Sequence, residues 1–431
     1  MKRSLLYIIF LIPLNLLAQQ SFNLQNAIDT ALKNNFDIQI AKNNTEISKI
    51  NNKFGVAGGL PSINANAGDN NSIYNLNQKL NSGAEINKNN VSSSSINAGV
   101  VASIVLFNGF KVLATKEKLN YLQKQSELEL NQRIQNTIGA VMVTYYDIIR
   151  QQSYYNIINS SHEVSLKKYE IVKERYNVGM ANDADILQAK IDLSLTEQNL
   201  KSQQLVIDQT KINLLQLIGV KQFYTITVND SIFIDKNISK DSIIKFLENN
   251  PQFLSAEQQI KINEQLVKEL KSQRYPSLKL NTGYNYTYNS SSAGLNLLTQ
   301  NYGPFVGATL SIPIYNGTIY TTQKNVAQFN VNNAELQKES LLNSLKFDAI
   351  KTYQSYESML VQINSQQTNY ENADQLIKIV SQRFQLNQAT IIDVKNAQES
   401  FESIGYTLVN LQYAAKVSEI ELKRLTYQLG Y

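Results

Sequence analysis

One unit is written twice along this chain, and that repeat constrains the fold more than any other feature. Phe107-Asn108-Gly109 and Tyr315-Asn316-Gly317 stand 208 positions apart. The same offset relates Tyr145 to Tyr353, Arg175 to Arg383 and Asp185 to Asp393. Asn35 precedes Pro61 by 26 residues, and Asn250 precedes Pro276 by the same 26. Leu217-Ile218-Gly219 and Gln428-Leu429-Gly430 resemble each other at the far ends. An offset that holds across such different segments indicates duplication. It places one copy at 19–219, a linker or equatorial segment at 220–240 and a second copy at 241–431.

With 17 Gly and 6 Pro in 431 residues, the units should consist of long elements with few loops. The chain has no Cys, which removes disulfides, thiolate metal sites and cysteine nucleophiles. Its net charge of +5 is spread thinly, and no Lys/Arg block interleaves with aromatics, so nucleic-acid binding is not expected.

At the N-terminus Lys2 and Arg3 precede an apolar run from Leu5 to Leu17, which ends at Ala18. That is the pattern of a secretory signal peptide, assigned to residues 1–18. The run is too short for a membrane anchor and Pro13 interrupts it. No Cys follows it, so a lipid-modified N-terminus is excluded. Beyond it no segment approaches the roughly 20 apolar residues of a membrane helix. A mature chain that meets the membrane would therefore do so with strands, through a lipid-free interface or not at all.

Each copy reads as helix, strand, strand, long helix, helix. The leading helices are expected over about Leu24–Phe54 and Ser242–Gln273. Pro61 and Pro276 then open strands in which Ile63, Ala65 and Ala67, or Leu278, Leu280, Thr282, Tyr284, Tyr286 and Tyr288, share one face. Second strands are expected at Ser95–Phe107 and Phe305–Tyr315. Alternation over about ten residues suits a membrane barrel strand, and periodicity alone fits a half-buried strand of a soluble sheet equally well. The Asn- and Ser-rich segments Asn75–Asn90 and Asn289–Asn301, with Ser92–Ser95, read as surface loops.

From Gly109 to Asn177 there is no Pro, and side chains recur at spacings of three and four: Leu119, Leu122, Ser126, Leu130, Ile134, Ile138, Val141, Tyr145, Ile148, Gln152, Tyr155, Asn159, His162, Leu166, Tyr169. The second copy repeats the seam through Leu345, Ala349, Tyr356, Ile363, Tyr370, Ile377 and Phe384. Such seams supercoil against neighbours. His162 on this seam is expected to be packed or tunnel-facing, neither a metal ligand nor a catalyst. Four strands per chain cannot close a barrel, and an open strand edge is not viable in lipid. Either the strands form a soluble sheet or several copies share one barrel, and cyclic symmetry would close such a ring without fixing the number of subunits.

With these segments in order, the chain resembles the TolC-like outer-membrane efflux protein family over nearly its whole mature length. The most specific stretches are the helix turns Arg175-Tyr176-Asn177-Val178-Gly179-Met180-Ala181 through Asp185, and Arg383-Phe384-Gln385-Leu386-Asn387 through Asp393. The resemblance implies an α+β membrane protein, a homotrimer sharing a 12-stranded β-barrel continued by an α-helical periplasmic tunnel. It also implies the outer membrane as location, outer-membrane lipid around the barrel, and docking to a periplasmic adaptor and an inner-membrane transporter. The adaptor-facing turns would carry Arg175, Gly179, Asp185, Arg383 and Asn387. Asp393 would sit at the pore constriction, with a neutral Asn396 where a second acid can occur. Gly179, and Asn387 in its place in the second copy, suit positive φ at a helix end. The acids equally suit helix capping.

The implied function is a passive exit duct for efflux or type I secretion, with no cofactor, metal or catalytic residue. The competing reading is a secreted coiled-coil structural protein, which explains the seams but not matched pairs of alternating strands. An exported enzyme has little to draw on, with one His and no Cys. Drugs, metal ions and unfolded proteins remain open as cargo.

Overall fold

The computed structural model describes residues 22–430, so the expected signal peptide at 1–18 lies outside the described residues. The elements follow in the order α1 (Leu24–Asn34), α2 (Phe36–Asn51), β1 (Ser62–Lys79), β2 (Glu85–Asn108), α3 (Lys111–Asn177), α4 (Asp183–Leu217), α5 (Lys240–Phe246), α6 (Pro251–Ser272), β3 (Ser277–Ser291), β4 (Leu298–Ser311), α7 (Ile319–Gln385) and α8 (Ile391–Leu425). The duplication is visible in lengths: α3 and α7 each have 67 residues, and α4 and α8 each have 35. At about 1.5 Å per residue each long helix extends about 100 Å.

The chain divides into two compact units. The first comprises the chain up to Ile40, Gln132–Asn250 and Ser344 onward. Its largest apolar core joins Ile138, Val141, Tyr145 and Ile148 of α3 to Ala27, Ile28 and Ala31 of α1, Leu214 of α4, and Ile420 of α8. Ile226 and Val228 from the segment between α4 and α5 enter the same core. That segment is a strap tied to the helices. Gln152 Nε2 donates to Val228 O at 3.0 Å, Asp235 N donates to Glu419 Oε2 at 3.0 Å, and Lys423 Nζ donates to Asp235 Oδ2 at 3.1 Å.

Two expected helices are each broken at an asparagine. Asn35 is extended at φ −60°, ψ 127°, and Asn250 at φ −61°, ψ 125°. Asn35 Nδ2 donates to Leu217 O at 2.7 Å, and Asn250 Nδ2 donates to Leu425 O at 2.9 Å. Each thus satisfies a carbonyl that the end of a trailing helix would leave orphaned. A short-range hydrogen bond from Ile38 N to Asn35 Oδ1 starts α2, and Pro251 starts α6 at the position where its missing N–H is harmless.

The distal half of α3 corrects the expected seam. The buried residues are Ser161, Ser165, Lys168 and Val172, one place earlier than His162, Leu166 and Tyr169. A straight helix drifts against a seven-residue repeat, and here the inward face is polar because each group is paired. Lys168 Nζ bonds Asp192 Oδ2 at 2.6 Å, and Gln398 Nε2 donates to Ser165 Oγ at 3.0 Å. His162 is half-buried with Nδ1 3.1 Å from Thr196 Oγ1. In α7 the expected seam holds, with Leu345, Ala349, Tyr356, Ala373, Ile377 and Phe384 buried.

The second unit comprises Ala41–Asn131 and Pro251–Asn343 and contains an antiparallel sheet in the order β1-β2-β3-β4. Registers align Ala65↔Val100↔Tyr284↔Pro304 in one row and Asn66↔Gly99↔Asn285↔Gly303 in the next. One face is therefore apolar and the other is rich in Asn and Gly. The segments expected as loops are largely strand: β1 runs to Lys79 and β2 starts at Glu85, while Ser92 pairs with β1 and Ser93–Ser95 pair on both sides. Backbone ladders carry them despite low β propensity, helped by side-chain bonds such as Ser95 Oγ to Asn289 Oδ1 at 2.6 Å and Asn90 N to Asn75 Oδ1 at 3.0 Å. The last strand ends at Ser311, short of the expected Tyr315, because Pro313 has no N–H for a ladder. Among the described residues, no helix is long and apolar enough to cross a membrane.

Candidate functional site: the two helix turns

The turns joining α3 to α4 and α7 to α8 have the same construction. At the end of α3, Gly179 takes φ +78° and Met180 N donates to Arg175 O at 2.7 Å. At the end of α7, Asn387 takes φ +62° and Gln388 N donates to Arg383 O at 2.8 Å. These are Schellman-type endings that satisfy the last helical carbonyls. The sequence expectation of positive φ at both positions is met.

The following helices start with capping boxes. Asp185 N donates to Asn182 Oδ1 at 2.9 Å, and Asn182 N donates to Asp185 Oδ2 at 3.2 Å. In the second turn Asp393 N donates to Thr390 Oγ1 at 3.2 Å and Thr390 N donates to Asp393 Oδ2 at 2.8 Å. The Thr390 N–H, and then its hydroxyl, hold the Asp393 carboxyl below the usual carboxylate range. Asp393 is thus both a cap and a fixed, exposed negative charge. With the exposed Asn396 it lines a shallow depression of about 370 Å³ beside Arg383, Leu376 and Ser400.

The matched arginines do different work. Arg383 Nη2 donates to Gln388 O at 3.1 Å, inside its own turn. Arg175 is half-buried and reaches the other turn, where its guanidinium lies 4.6 Å from the Phe384 ring centroid and donates to Phe384 O. Sequence reasoning listed Arg175 among turn residues but missed this tie, for which a lone arginine gives no signal. Asn182 and Thr390 were also missed, although Asn-x-x-Asp and Thr-x-x-Asp are the sequence signature of such caps. Val172, Ala189, Phe384 and Val394 form a small core behind the turns. Val178, Met180 and Leu386 stand 68–69% exposed at the tips. Among the described residues no group of three or more His, Cys, Asp or Glu is placed to hold a metal ion.

A duplicated strand-and-long-helix chain with one apolar sheet face and paired capped turns is the build of an outer-membrane channel subunit. The chain belongs to the outer membrane efflux protein family, whose model matches residues 27–220 and 243–426. It is similar to the outer membrane protein TolC of Vibrio cholerae serotype O1, 23% identical over 378 residues that span 85% of this chain and 81% of the relative. The fold is shared with the outer membrane protein VceC of Vibrio cholerae, 19% identical with a TM-score of 0.75, covering 95% of this chain and 97% of that one. It is shared also with the CmeC outer membrane channel of Campylobacter jejuni, 18% identical with a TM-score of 0.76, covering 95% and 87%. The protein is an outer-membrane efflux channel, located in the outer membrane and extending into the periplasm.

Proposed function

We propose that three copies share one 12-stranded barrel and form a passive exit duct, docked at the helix turns to a periplasmic adaptor and through it to an inner-membrane transporter. The observation that carries this reading is the sheet: four strands, outer strands β1 and β4, and one largely apolar face that Asp69 and Gln300 enter at the level of Tyr288. Free edges cannot face lipid, so each β1 needs the β4 of another copy. Leu278 to Tyr288 spans about 34 Å along the strand, or about 26 Å when tilted by some 40°, which matches the apolar band of a membrane barrel. The tyrosines Tyr286, Tyr288 and Tyr302 fall at one end of that band and supply an aromatic girdle. The duct performs no chemistry of its own.

Adaptor contact at the turns is supported by the exposure of Val178, Met180 and Leu386 on rigidly capped ends. Apolar side chains held out on ordered turns are the anchors of protein interfaces. Three Asp393 carboxylates at the pore constriction would repel one another and favour cations, with Asn396 adding no second acidic ring. The adaptor contact is tested by single-thiol crosslinking, which the absence of native Cys makes unambiguous. Met180→Cys and Leu386→Cys should each crosslink in cells to one periplasmic protein of a transport operon, while Ile63→Cys on the apolar sheet face should not. Equal yields from all three positions would reject docking at the turns.

A further inference from the structure

The polar face of the sheet carries an unexpected economy of charge. Six consecutive rows can be followed across it, from Val105↔Lys279↔Thr309 to Asn70↔Ser95↔Asn289↔Thr299. Its lining is mostly amide, hydroxyl and glycine, as at Asn66, Asn97 and Asn285, with Val101, Val105 and Phe305 as uncharged apolar members. The shared face is confirmed by side chains that meet on it: Asn281 Nδ2 donates to Thr309 Oγ1 at 3.4 Å, and a Cβ on Gly99 would stand 2.6 Å from Asn285 Oδ1. In these rows Lys279 is the sole ionisable group on the polar face. Its side chain is exposed and makes no ion pair among the described residues. Asp69, the acid nearest in the strands, belongs to the opposite face, where Asn71 Nδ2 donates to its Oδ2 at 3.0 Å.

We infer that Lys279 sets the charge preference of the barrel lumen, drawing small anions and anionic groups of the cargo into an otherwise uncharged wall. The inference rests on the shared barrel, in which the apolar face meets lipid and the polar face lines the passage. Three such ammonium groups in one ring, confined by low-dielectric walls and answered by no carboxylate at that level, raise the local concentration of anions. Charge selection would then be split: Asp393 at the turns favours cations and Lys279 in the barrel favours anions. The uncharged and mostly polar wall between Lys279 and the outer rim offers hydrogen bonds to polar cargo without binding it by charge.

The test uses Asn281→Cys as the only thiol, two residues from Lys279 and about 7 Å along the strand. The trimer in membranes is treated with an anionic sulfonate methanethiosulfonate or a cationic trimethylammonium one, in Lys279, Lys279→Gln and Lys279→Glu backgrounds. The anion-to-cation ratio of modification rates should fall roughly three- to sevenfold in Lys279→Gln at low salt, invert in Lys279→Glu, and converge at high salt. Equal ratios in all three backgrounds would overturn the role of Lys279. Val306→Cys, on the apolar face, separates this from failure of the barrel itself. Resistance of Val306→Cys to both reagents supports the face assignment, and labelling as fast as Asn281→Cys overturns the shared barrel and the inference together.

Discussion

Asp393 combines two roles that a single alanine substitution would remove together. Its Oδ2 accepts from Thr390 N and from the Thr390 hydroxyl, both at 2.8 Å, so the carboxylate closes the first turn of α8. An amide in its place can still accept both bonds through its oxygen. Asp393→Asn should therefore leave the turn folded while removing the charge. Cation preference and block by multivalent cations in planar bilayers should fall, with hydrogen exchange across 387–396 unchanged. Thr390→Ala should do the reverse, weakening the cap by about 1 kcal/mol and speeding exchange in that turn while the cation preference stays. If both variants change conductance alike, the acid acts through the fold and not through its charge. Asp185 makes the same box with Asn182 and serves as the matched control at the first turn.

At the scale of elements, the strap shows where charge and packing meet. Asp235 is held to α8 by Lys423 and receives Asn237 N at 3.0 Å. The Asn237 N–H first, and Lys423 second, hold its carboxyl below the usual carboxylate range. Lys423 is raised: burial opposes its charge, but Glu419 and Asp235 outweigh that. Lys416 and Glu419 pair beside them at 2.9 Å, and Tyr356, pushed up to about 12 by burial, stays protonated and donates to Asp235 O. A carboxyl with a lowered native pKa stabilises fully above its unfolded value of about 4, and that contribution is lost as pH falls through the native value. Protection of the strap amides 226–237, taken relative to their intrinsic exchange rates, should therefore fall below about pH 4. Asp235→Asn should flatten this acid limb while raising strap exchange at neutral pH, and an unaltered limb would place the sensitivity elsewhere. How far such elements were legible in the sequence depended on the range of the contacts that decide them. The long helices were readable because no Pro interrupts residues 109–177 and the seam of α7 is apolar. The positive φ of Gly179 and Asn387 was readable because their backbone conformation is local. The break at Asn35 was not, since its partner Leu217 O lies 182 residues away. Nor was the inward face of Ser161, Ser165 and Lys168, because hydrophobicity cannot announce a polar residue that is buried and paired. The strand extensions through Asn75–Asn90 failed for the same reason: ladder partners, not composition, hold them extended.

For the whole molecule, the single chain leaves three kinds of surface that need a partner. The sheet ends in β1 and β4, and its apolar face presents Val306 at 74% and Tyr284 at 49% exposure. Leu187, Ile191 and Leu195, four apart on α4, stand 58, 54 and 52% exposed as one stripe. Strand edges are satisfied by other edges, apolar strands by lipid and apolar helix stripes by helices, so one ring of copies in a membrane covers all three. Detergent extracts should then hold a species of about three times the 48.7 kDa chain, heat-modifiable on gels and retained in membranes through a salt wash. The two faces of the sheet allow a sharper test of what holds the ring. Val306→Arg sets a charge in the middle of the apolar face, which costs about 2–4 kcal/mol per copy at the bilayer midplane. Gly307→Arg sets the same charge on the polar face, where a Cβ meets no atom within 4 Å. The first variant should lose the heat-modifiable species and accumulate as periplasmic chain, and the second should assemble normally. Equal assembly of both would mean that neither face meets lipid, and a soluble monomer in the unaltered protein would remove the barrel altogether.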